Sequence, residues 1–137
     1  MLVIRHAESE WNAFSSKMTA QGKKDVQELH RQDYEPKSLS KDPPITEKGI
    51  SQAKSLAESL LPYLDSLQVI FVSPCQRALQ TLGFALEEMV QRGAITRSGF
   101  AEKVKIVCQP LVLPRMSGVI DFPFRYPKSK EIIHKDF

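Results

Sequence analysis

The sequence has few cysteines, no long apolar run and a small net charge, and each of these features excludes a class of protein. Its two cysteines, Cys75 and Cys108, lie in no metal-ligand spacing and form no Cys-x-x-Cys unit, so neither a metal site nor a redox thiol function is expected. No apolar run approaches membrane-spanning length. The net charge of +3 is too small to indicate nucleic-acid binding, although it suits a site for anions. We therefore expect an intracellular, cytoplasmic protein that neither binds nucleic acid nor inserts into a membrane.

The length and composition indicate one ordinary globular unit. The 137 residues fit a single domain over residues 1–137, at the small end for a sheet that is covered on both faces. The hydrophobic share of 42% and the charged share of 26% are usual for a soluble protein and allow a real core. The first apolar run begins at the start of the sequence, so we expect no signal or transit peptide.

The first dozen residues carry a candidate site. The apolar, largely β-branched run Leu2–Ile4 predicts a buried strand, and Arg5 and His6 follow it directly. In open α/β sheets, ligands bind in the crevice outside the carboxyl ends of the strands. An arginine there can neutralise and orient a phosphate, and a neutral imidazole beside it can attack phosphorus. A simple surface pair is the alternative interpretation, and for the dipeptide alone it is the better one.

The second segment of interest predicts a capped amphipathic helix. Between Ala13 and Pro44 the chain is polar and interrupted by prolines, which indicates a surface loop with one short helix from about Ala20 to Arg31 and a solvated His30. Thr46 is then a natural N-cap. Pro62 marks a break near the end of the helix. Apolar residues recur between them at the spacing of a helix that lies on a sheet, namely Ile50, Ala53, Leu56, Ala57, Leu60 and Leu61.

The third segment adds a second arginine. Val69–Val72 is a continuous apolar run, typical of a buried parallel strand. Ser73 and Pro74 predict a helix start, with a hydroxyl cap and a proline at the first helical position. Arg77 would then lie in the first turn and point back toward the strand end, where free backbone N–H groups favour an anion.

The rest of the chain predicts alternating elements. The helix is expected to continue to Gln91 and to end at Gly93, followed by a basic connector over Arg92–Lys103. Val104–Cys108 alternates as expected for a further strand.

Three motifs in this order resemble one family. They are Arg5-His6-Ala7-Glu8, the Thr46–Ala53 helix start, and Ser73-Pro74-Cys75-Gln76-Arg77-Ala78-Leu79-Gln80-Thr81. They are similar to the Arg-His-Gly-Glu, Leu-Thr-x-x-Gly-x-x-Gln-Ala and Ser-Pro-x-x-Arg-Ala-x-x-Thr motifs of the histidine phosphatase superfamily, the phosphoglycerate-mutase-like branch 1. The first motif departs from the family only at Ala7, and the third matches every fixed position. The resemblance implies a three-layer α/β/α sandwich with a mainly parallel sheet, and with the C-terminal part of the domain missing.

The resemblance also implies a function. It implies phosphoryl transfer or phosphate monoester hydrolysis through a phosphohistidine on His6, acting on a phosphorylated small molecule or a phosphoprotein, with no cofactor. Mutase and phosphatase cannot be told apart from this sequence. The implied catalytic residues are His6, Arg5 and Arg77, and the implied phosphate or substrate contacts are Arg5, Arg77, Asn12, Glu8 and Ser15, with Ser16 beside them.

Two groups of the family site have no counterpart. The general-acid glutamate of the family would fall at Pro114, where no proton donor stands, and Asp121 better matches an aspartate of the following loop. The second histidine of the family lies after a later strand, and His134 follows no such strand. The resemblance is therefore expected to cover essentially the whole chain but only about the first two-thirds of a family domain.

The missing part leaves alternatives open. The chain is a fragment of a longer product, a domain completed by a partner chain that covers the open sheet edge, or a degenerate member kept for its surface. Retention of Arg5, His6 and Arg77 favours an enzyme. Loss of the acid and the second histidine favours a catalytically inactive structural or binding subunit of a larger assembly.

Overall fold

The computed structural model describes residues 1–20 and 42–109, and it has an α/β architecture. The predicted α/β fold class is confirmed by helices that pack with a small parallel sheet. In chain order the elements are helix α1 (Glu10–Ala20), helix α2 (Glu47–Leu60) with a 3-10 turn (Leu61–Tyr63), strand β1 (Val69–Val72), helix α3 (Gln76–Gln91), helix α4 (Arg97–Lys103) and strand β2 (Lys105–Cys108).

Strands β1 and β2 pair in parallel, and α3 and α4 form the crossover between them. The register runs from Val69 opposite Lys105 to Val72 opposite Cys108. A continuous apolar strand was expected to be buried on both faces, and this expectation is wrong for β1. Val72 is buried, whereas Phe71 is 63% exposed, because in the described part of the chain the helices cover one face of the sheet.

The predicted strand at Leu2–Ile4 is not formed. These residues have no regular secondary structure, and Val3 is 79% exposed. A strand is stable only when its backbone groups pair with a neighbour, and Leu2–Ile4 pair with neither β1 nor β2, the two strands of the sheet in the described residues. Arg5 and His6 therefore follow an extended, irregular segment instead of a strand end.

Helix α2 was predicted and is confirmed, whereas helix α1 forms where a loop was predicted. The hydroxyl of Thr46 accepts a hydrogen bond from the N–H of Gly49 at 3.0 Å, as expected of an N-cap. Residues 13–20 were predicted to be a loop, yet they belong to α1. Ser9 and Asn12 cap this helix reciprocally: the Asn12 side-chain oxygen accepts from the Ser9 N–H at 3.1 Å, and the Ser9 hydroxyl accepts from the Asn12 N–H at 3.3 Å.

Helix α3 begins two residues later than predicted. Its first residue is Gln76, so Ser73 is not its cap and Pro74 is not its first residue. The Asp42 carboxylate caps it from outside, because both of its oxygens accept from the Gln76 N–H, at 2.8 and 2.9 Å. A long-range cap of this kind has no signal in the local sequence.

The end of helix α3 matches the prediction. Gly93 has a φ of 71°, a left-handed conformation that favours glycine. Its N–H donates to the carbonyl of Val90 at 3.0 Å, and the N–H of Ala94 donates to the carbonyl of Met89 at 2.9 Å. This pair of bonds is a Schellman motif.

The predicted connector over Arg92–Lys103 contains a helix. Helix α4 starts at a cap, since the Thr96 hydroxyl accepts from the N–H of Gly99 at 3.2 Å, and it buries Phe100. The connector prediction is therefore wrong for residues 97–103.

Two apolar clusters stabilise the described fold. We call the first the major core; it joins α2, α3, α4 and the sheet. We call the second the minor core; it joins the segment after Ile4 to α2 and, through Phe84, to α3. The buried members are Ala57, Leu86, Met89, Phe100 and Val104 in the major core, and Ala7, Ile45 and Ala53 in the minor core.

Several predictions fall on other residues. The helix predicted from about Ala20 to Arg31 lies outside the described residues apart from Ala20, and so do the assignments at His30, Pro114, Asp121 and His134. Within residues 1–20 and 42–109, every helix is too short or too polar to cross a membrane.

Candidate active site

The imidazole of His6 is held in one tautomer. Its Nδ1 lies 2.7 Å from the carbonyl oxygen of Ala7, so Nδ1 carries the proton and donates it to that carbonyl. Nε2 is then the nitrogen with the free lone pair, and it accepts a hydrogen bond from the Nε–H of Arg77 at 3.2 Å. The nitrogen that is able to attack an electrophile therefore faces a guanidinium group.

The surroundings of His6 favour its neutral form. The pKa of His6 is lowered from its ordinary value, mainly because burial penalises the charged imidazolium. The hydrogen bond to the Ala7 carbonyl acts in the opposite direction, and the positive charges of Arg77 and Arg5 lower the pKa further. At neutral pH the imidazole is consequently in its neutral form, which a nucleophilic histidine requires.

Arg77 lies at the start of helix α3, and its side chain is only 10% exposed. Its Nη1 lies 3.6 Å from a carboxylate oxygen of Asp42, the same group that caps Gln76. The N–H of Gln76 was expected to be free for an anion, and this expectation is corrected because Asp42 already occupies it. The guanidinium of Arg77 thus contacts Asp42 through Nη1 and His6 through Nε.

A buried hydroxyl joins the His6 segment to helix α3. Thr81 accepts a hydrogen bond from the N–H of Ala7 at 3.0 Å and donates one to the carbonyl of Arg77 at 2.7 Å. Ala7 itself is buried in the minor core. The backbone next to His6 is therefore attached to the helix that carries Arg77.

A polar cleft opens in front of His6. It has a volume of about 390 Å³, the size of a small-molecule site. Hydroxyl and amide groups form much of its wall. It is lined by Arg5, His6, Glu8, Asn12, Ser15, Ser16 and Gln52.

Glu8 is tied to the start of helix α2. Its carboxylate accepts from the Nζ of Lys48 at 2.8 Å and from the hydroxyl of Thr46 at 3.0 Å. The hydrogen bond from Lys48, followed by that from Thr46, holds the pKa of Glu8 below its usual range. Glu8 is therefore ionised at neutral pH and does not serve as a proton donor.

The sequence-predicted site residues are brought together in two ways. Arg5, His6, Glu8, Asn12 and Ser15 line the cleft, whereas Arg77 reaches the site through its contact with His6. The side-chain oxygen of Asn12 is taken by Ser9, so the amide N–H₂ is the part of Asn12 that can donate to a ligand. Their roles in catalysis and binding stay predictions.

Sequence reasoning missed Gln52 and Asp42. Gln52 lines the cleft, and its side-chain oxygen accepts from the N–H of Glu8 at 2.8 Å. The signal was present in the Gly-x-x-Gln-Ala pattern of helix α2, which was given only a structural role. Asp42 directly precedes that segment, and its part in the site depends on a contact with a helix 34 residues further along the chain.

Comparisons with known proteins agree with this geometry. The model of the histidine phosphatase superfamily (branch 1) matches residues 1–103. The chain is similar to the 2,3-bisphosphoglycerate-dependent phosphoglycerate mutases of Bradyrhizobium sp. strain BTAi1 (30% identical), Bradyrhizobium sp. strain ORS 278 (30%) and Xanthobacter autotrophicus strain Py2 (31%). Each similarity extends over 104 residues, which is 74% of this chain and 39% of the relative.

The extent of the match corrects one expectation. The family match stops at residue 103, so it does not cover essentially the whole chain. The chain spans about two fifths of the length of the curated relatives that it matches, and the predicted coverage of two-thirds of a family domain stays a prediction. With the family's motifs at the cleft and a family match over most of its length, the chain belongs to the histidine phosphatase superfamily (branch 1).

Proposed function

We propose that this chain carries out phosphoryl transfer from a phosphate monoester through a phosphohistidine on His6. The observation that carries the proposal is the state of the imidazole: the Ala7 carbonyl holds the proton on Nδ1, and Nε2 faces the guanidinium of Arg77. The lowered pKa of His6 supports a nucleophile that is neutral at physiological pH.

In the proposed reaction, the lone pair of Nε2 forms a bond to phosphorus while the bond from phosphorus to the ester oxygen breaks. The leaving alkoxide keeps the bonding electron pair and takes a proton from water. Arg5 and Arg77 neutralise the phosphoryl oxygens, which needs the Nε–H of Arg77 to turn from Nε2 to an oxygen of the substrate. Water then attacks the phosphohistidine in a phosphatase, and a second hydroxyl group attacks it in a mutase.

The described cleft favours esters with good leaving groups. Of the described residues that line the cleft, one has a carboxylate, Glu8. Hydrogen bonds from Lys48 and Thr46 keep this carboxylate ionised, so it has no proton to donate to a leaving group. A general acid contributes most when the leaving alkoxide is strongly basic. We therefore expect aryl phosphates to react faster than alkyl phosphates on this chain.

The substrate class is proposed from the cleft wall and the relatives. The hydroxyl groups of Ser15 and Ser16 and the amides of Asn12 and Gln52 suit a polar, phosphorylated small molecule, and the relatives named above are phosphoglycerate mutases. A phosphoprotein is the other proposed substrate. The chain spans 39% of the length of these relatives, so a phosphoglycerate substrate is proposed for the chain by analogy with them.

The test is incubation with an aryl phosphate that has a good leaving group. Wild type is expected to release the phenol and to form an acid-labile, base-stable phosphate adduct on His6, seen by mass spectrometry. His6→Ala is expected to lose both. His30→Ala, in which another histidine is removed, is the matched control and should retain them. Equal background rates for wild type and His6→Ala would refute the enzymatic proposal.

A second candidate function is supported by the sheet face that the described residues leave uncovered. Within the described part of the chain, Val69 and Phe71 are exposed on this face. A catalytically inactive subunit would bind inorganic phosphate at Arg5 and Arg77 without turnover and would use a partner chain to cover the sheet. Phosphate binding by wild type, combined with background turnover of the aryl phosphate, would favour this candidate.

A further inference from the structure

The buried hydroxyl of Thr81 connects the two segments that form the candidate site. It uses one acceptor position for the N–H of Ala7 and its single proton for the carbonyl of Arg77. Thr81 is 5% exposed, so water does not replace either partner easily. A threonine in a helix often donates to the carbonyl four residues earlier, and the bond to Arg77 is of this common kind. The bond from the N–H of Ala7 is not of this common kind, because it joins residues that are 74 positions apart in the sequence.

These bonds belong to a closed ring of contacts around the imidazole. The N–H of Ala7 is held by Thr81, and the carbonyl of Ala7 holds Nδ1 of His6. Nε2 of His6 accepts from Arg77, whose own carbonyl accepts from Thr81. One residue thus links the backbone beside the imidazole to the helix turn that carries the guanidinium.

We infer that Thr81 is a positioning residue whose hydroxyl sets the distance between the imidazole of His6 and the guanidinium of Arg77. This inference rests on the proposed phosphoryl transfer. Without the hydroxyl, the N–H of Ala7 is buried without a partner, and the segment moves to let water reach it. A displacement of about 1 Å between reacting groups costs on the order of 100-fold in rate.

The experiment compares substitutions at Thr81 in the full chain. Thr81→Val keeps the shape and removes the hydroxyl, and Thr81→Ser keeps the hydroxyl and removes the methyl group. Thr96→Val is the matched control, because it removes a threonine hydroxyl that caps helix α4, away from His6. Three readouts apply: hydrogen exchange of the Ala7 amide, NMR titration of the His6 imidazole, and kcat and KM with an aryl phosphate.

The expected results separate positioning from simple stability. Thr81→Val should lose protection of the Ala7 amide, raise the pKa of His6 toward its ordinary value of 6.5, and lower kcat by about 10- to 100-fold with a smaller change in KM. Thr81→Ser should retain wild-type values for all three. Thr96→Val should lower stability and leave the Ala7 amide and the His6 titration unchanged.

Two outcomes overturn the inference. The first is a folded Thr81→Val with wild-type Ala7 protection and a wild-type His6 titration. The second is a Thr81→Ser variant that loses them, because then the methyl group and its packing matter and the hydroxyl does not. If Thr81→Val does not fold, Thr81→Ala takes its place, since it differs from the serine variant by one hydroxyl. If wild type shows no turnover, the proposed function is refuted. The hydrogen exchange of the Ala7 amide and the titration of His6 then still test whether Thr81 positions the imidazole.

Discussion

Gly49 lies where helix α2 approaches the backbone beside the candidate site. A Cβ atom added at this position would lie far inside van der Waals contact with the carbonyl oxygen of Glu8 and 3.0 Å from the Cβ of Ile45. The Glu8 carbonyl also accepts the N–H of Thr46, the N-cap of the same helix, at 2.9 Å, so it is held close to the start of helix α2. Gly49→Ala should therefore push helix α2 and the Glu8 segment apart by about 1 Å.

The net effect on stability follows from three contributions. Overpacking of a tight contact costs about 1–3 kcal/mol, and weakening of the bond from Thr46 to Glu8 costs about 1 kcal/mol. In the opposite direction, the higher helix propensity of alanine stabilises the helix by about 1 kcal/mol. We expect Gly49→Ala to lower the free energy of unfolding by about 1–3 kcal/mol.

Gly83 offers a matched control within helix α3. Beyond its chain neighbours and the backbone of its own helix, a Cβ atom there would meet no atom of residues 1–20 and 42–109 within 4 Å. Gly83→Ala should raise the free energy of unfolding by about 0.5–1 kcal/mol, because alanine has the higher helix propensity and its Cβ would make no close contact. The measurement is urea unfolding of the two variants and wild type, followed by circular dichroism. Equal or greater stability of Gly49→Ala relative to wild type would refute the close-approach argument.

Three further predictions concern the site and the sheet. Because the pKa of His6 is lowered and Nε2 must be unprotonated to attack, kcat/KM should be constant at high pH and fall only below a midpoint under 6.5; a midpoint at or above 6.5 in the pH–rate profile contradicts this. Asp42→Ala should lower the free energy of unfolding by about 0.5–2 kcal/mol, because the N–H of Gln76 loses its cap; unchanged urea unfolding argues against that cap. Phe71→Thr should change the free energy of unfolding by at most about 0.5 kcal/mol and reduce self-association in light scattering, because Phe71 is exposed; a larger loss of stability would show that its side chain is packed.

The parts of the fold that local signals specify were predicted well. Helix α2 has a hydroxyl cap and a regular apolar stripe, and helix α3 has such a stripe and a glycine that ends it. Strand β1 is a compact apolar run between polar segments. In each case the local pattern agrees with the distant contacts that the element makes, so the pattern is enough to locate it.

The parts that depend on distant contacts were not predictable in the same way. The segment Leu2–Ile4 has strand-forming residues but no strand beside it among the described residues. Helix α1 buries no residue, so it has no apolar stripe to reveal it, and only the Ser9–Asn12 pair marks its start. The start of helix α3 is set by Asp42, far away in the sequence.

The candidate site was found through motifs, because motifs carry information about which distant residues meet. Periodicity alone places neither His6 nor Arg77 in a site, yet the structure brings the two to 3.2 Å. The hydroxyl of Thr81 and the side chain of Gln52 stood at motif positions, and their partners became visible only with the backbone in place.

The division of the interior into two clusters has a consequence for local stability. The segment with His6 packs on the minor core, whose buried members are Ala7, Ile45 and Ala53, while helices α2 and α3 are also joined through the larger side chains of the major core. Local opening of the His6 segment then exposes little apolar surface and leaves the helix pair intact, so it costs less free energy than global unfolding. The amide of Ala7 should therefore exchange with solvent at a lower opening free energy than the amides in the middle of helices α2 and α3.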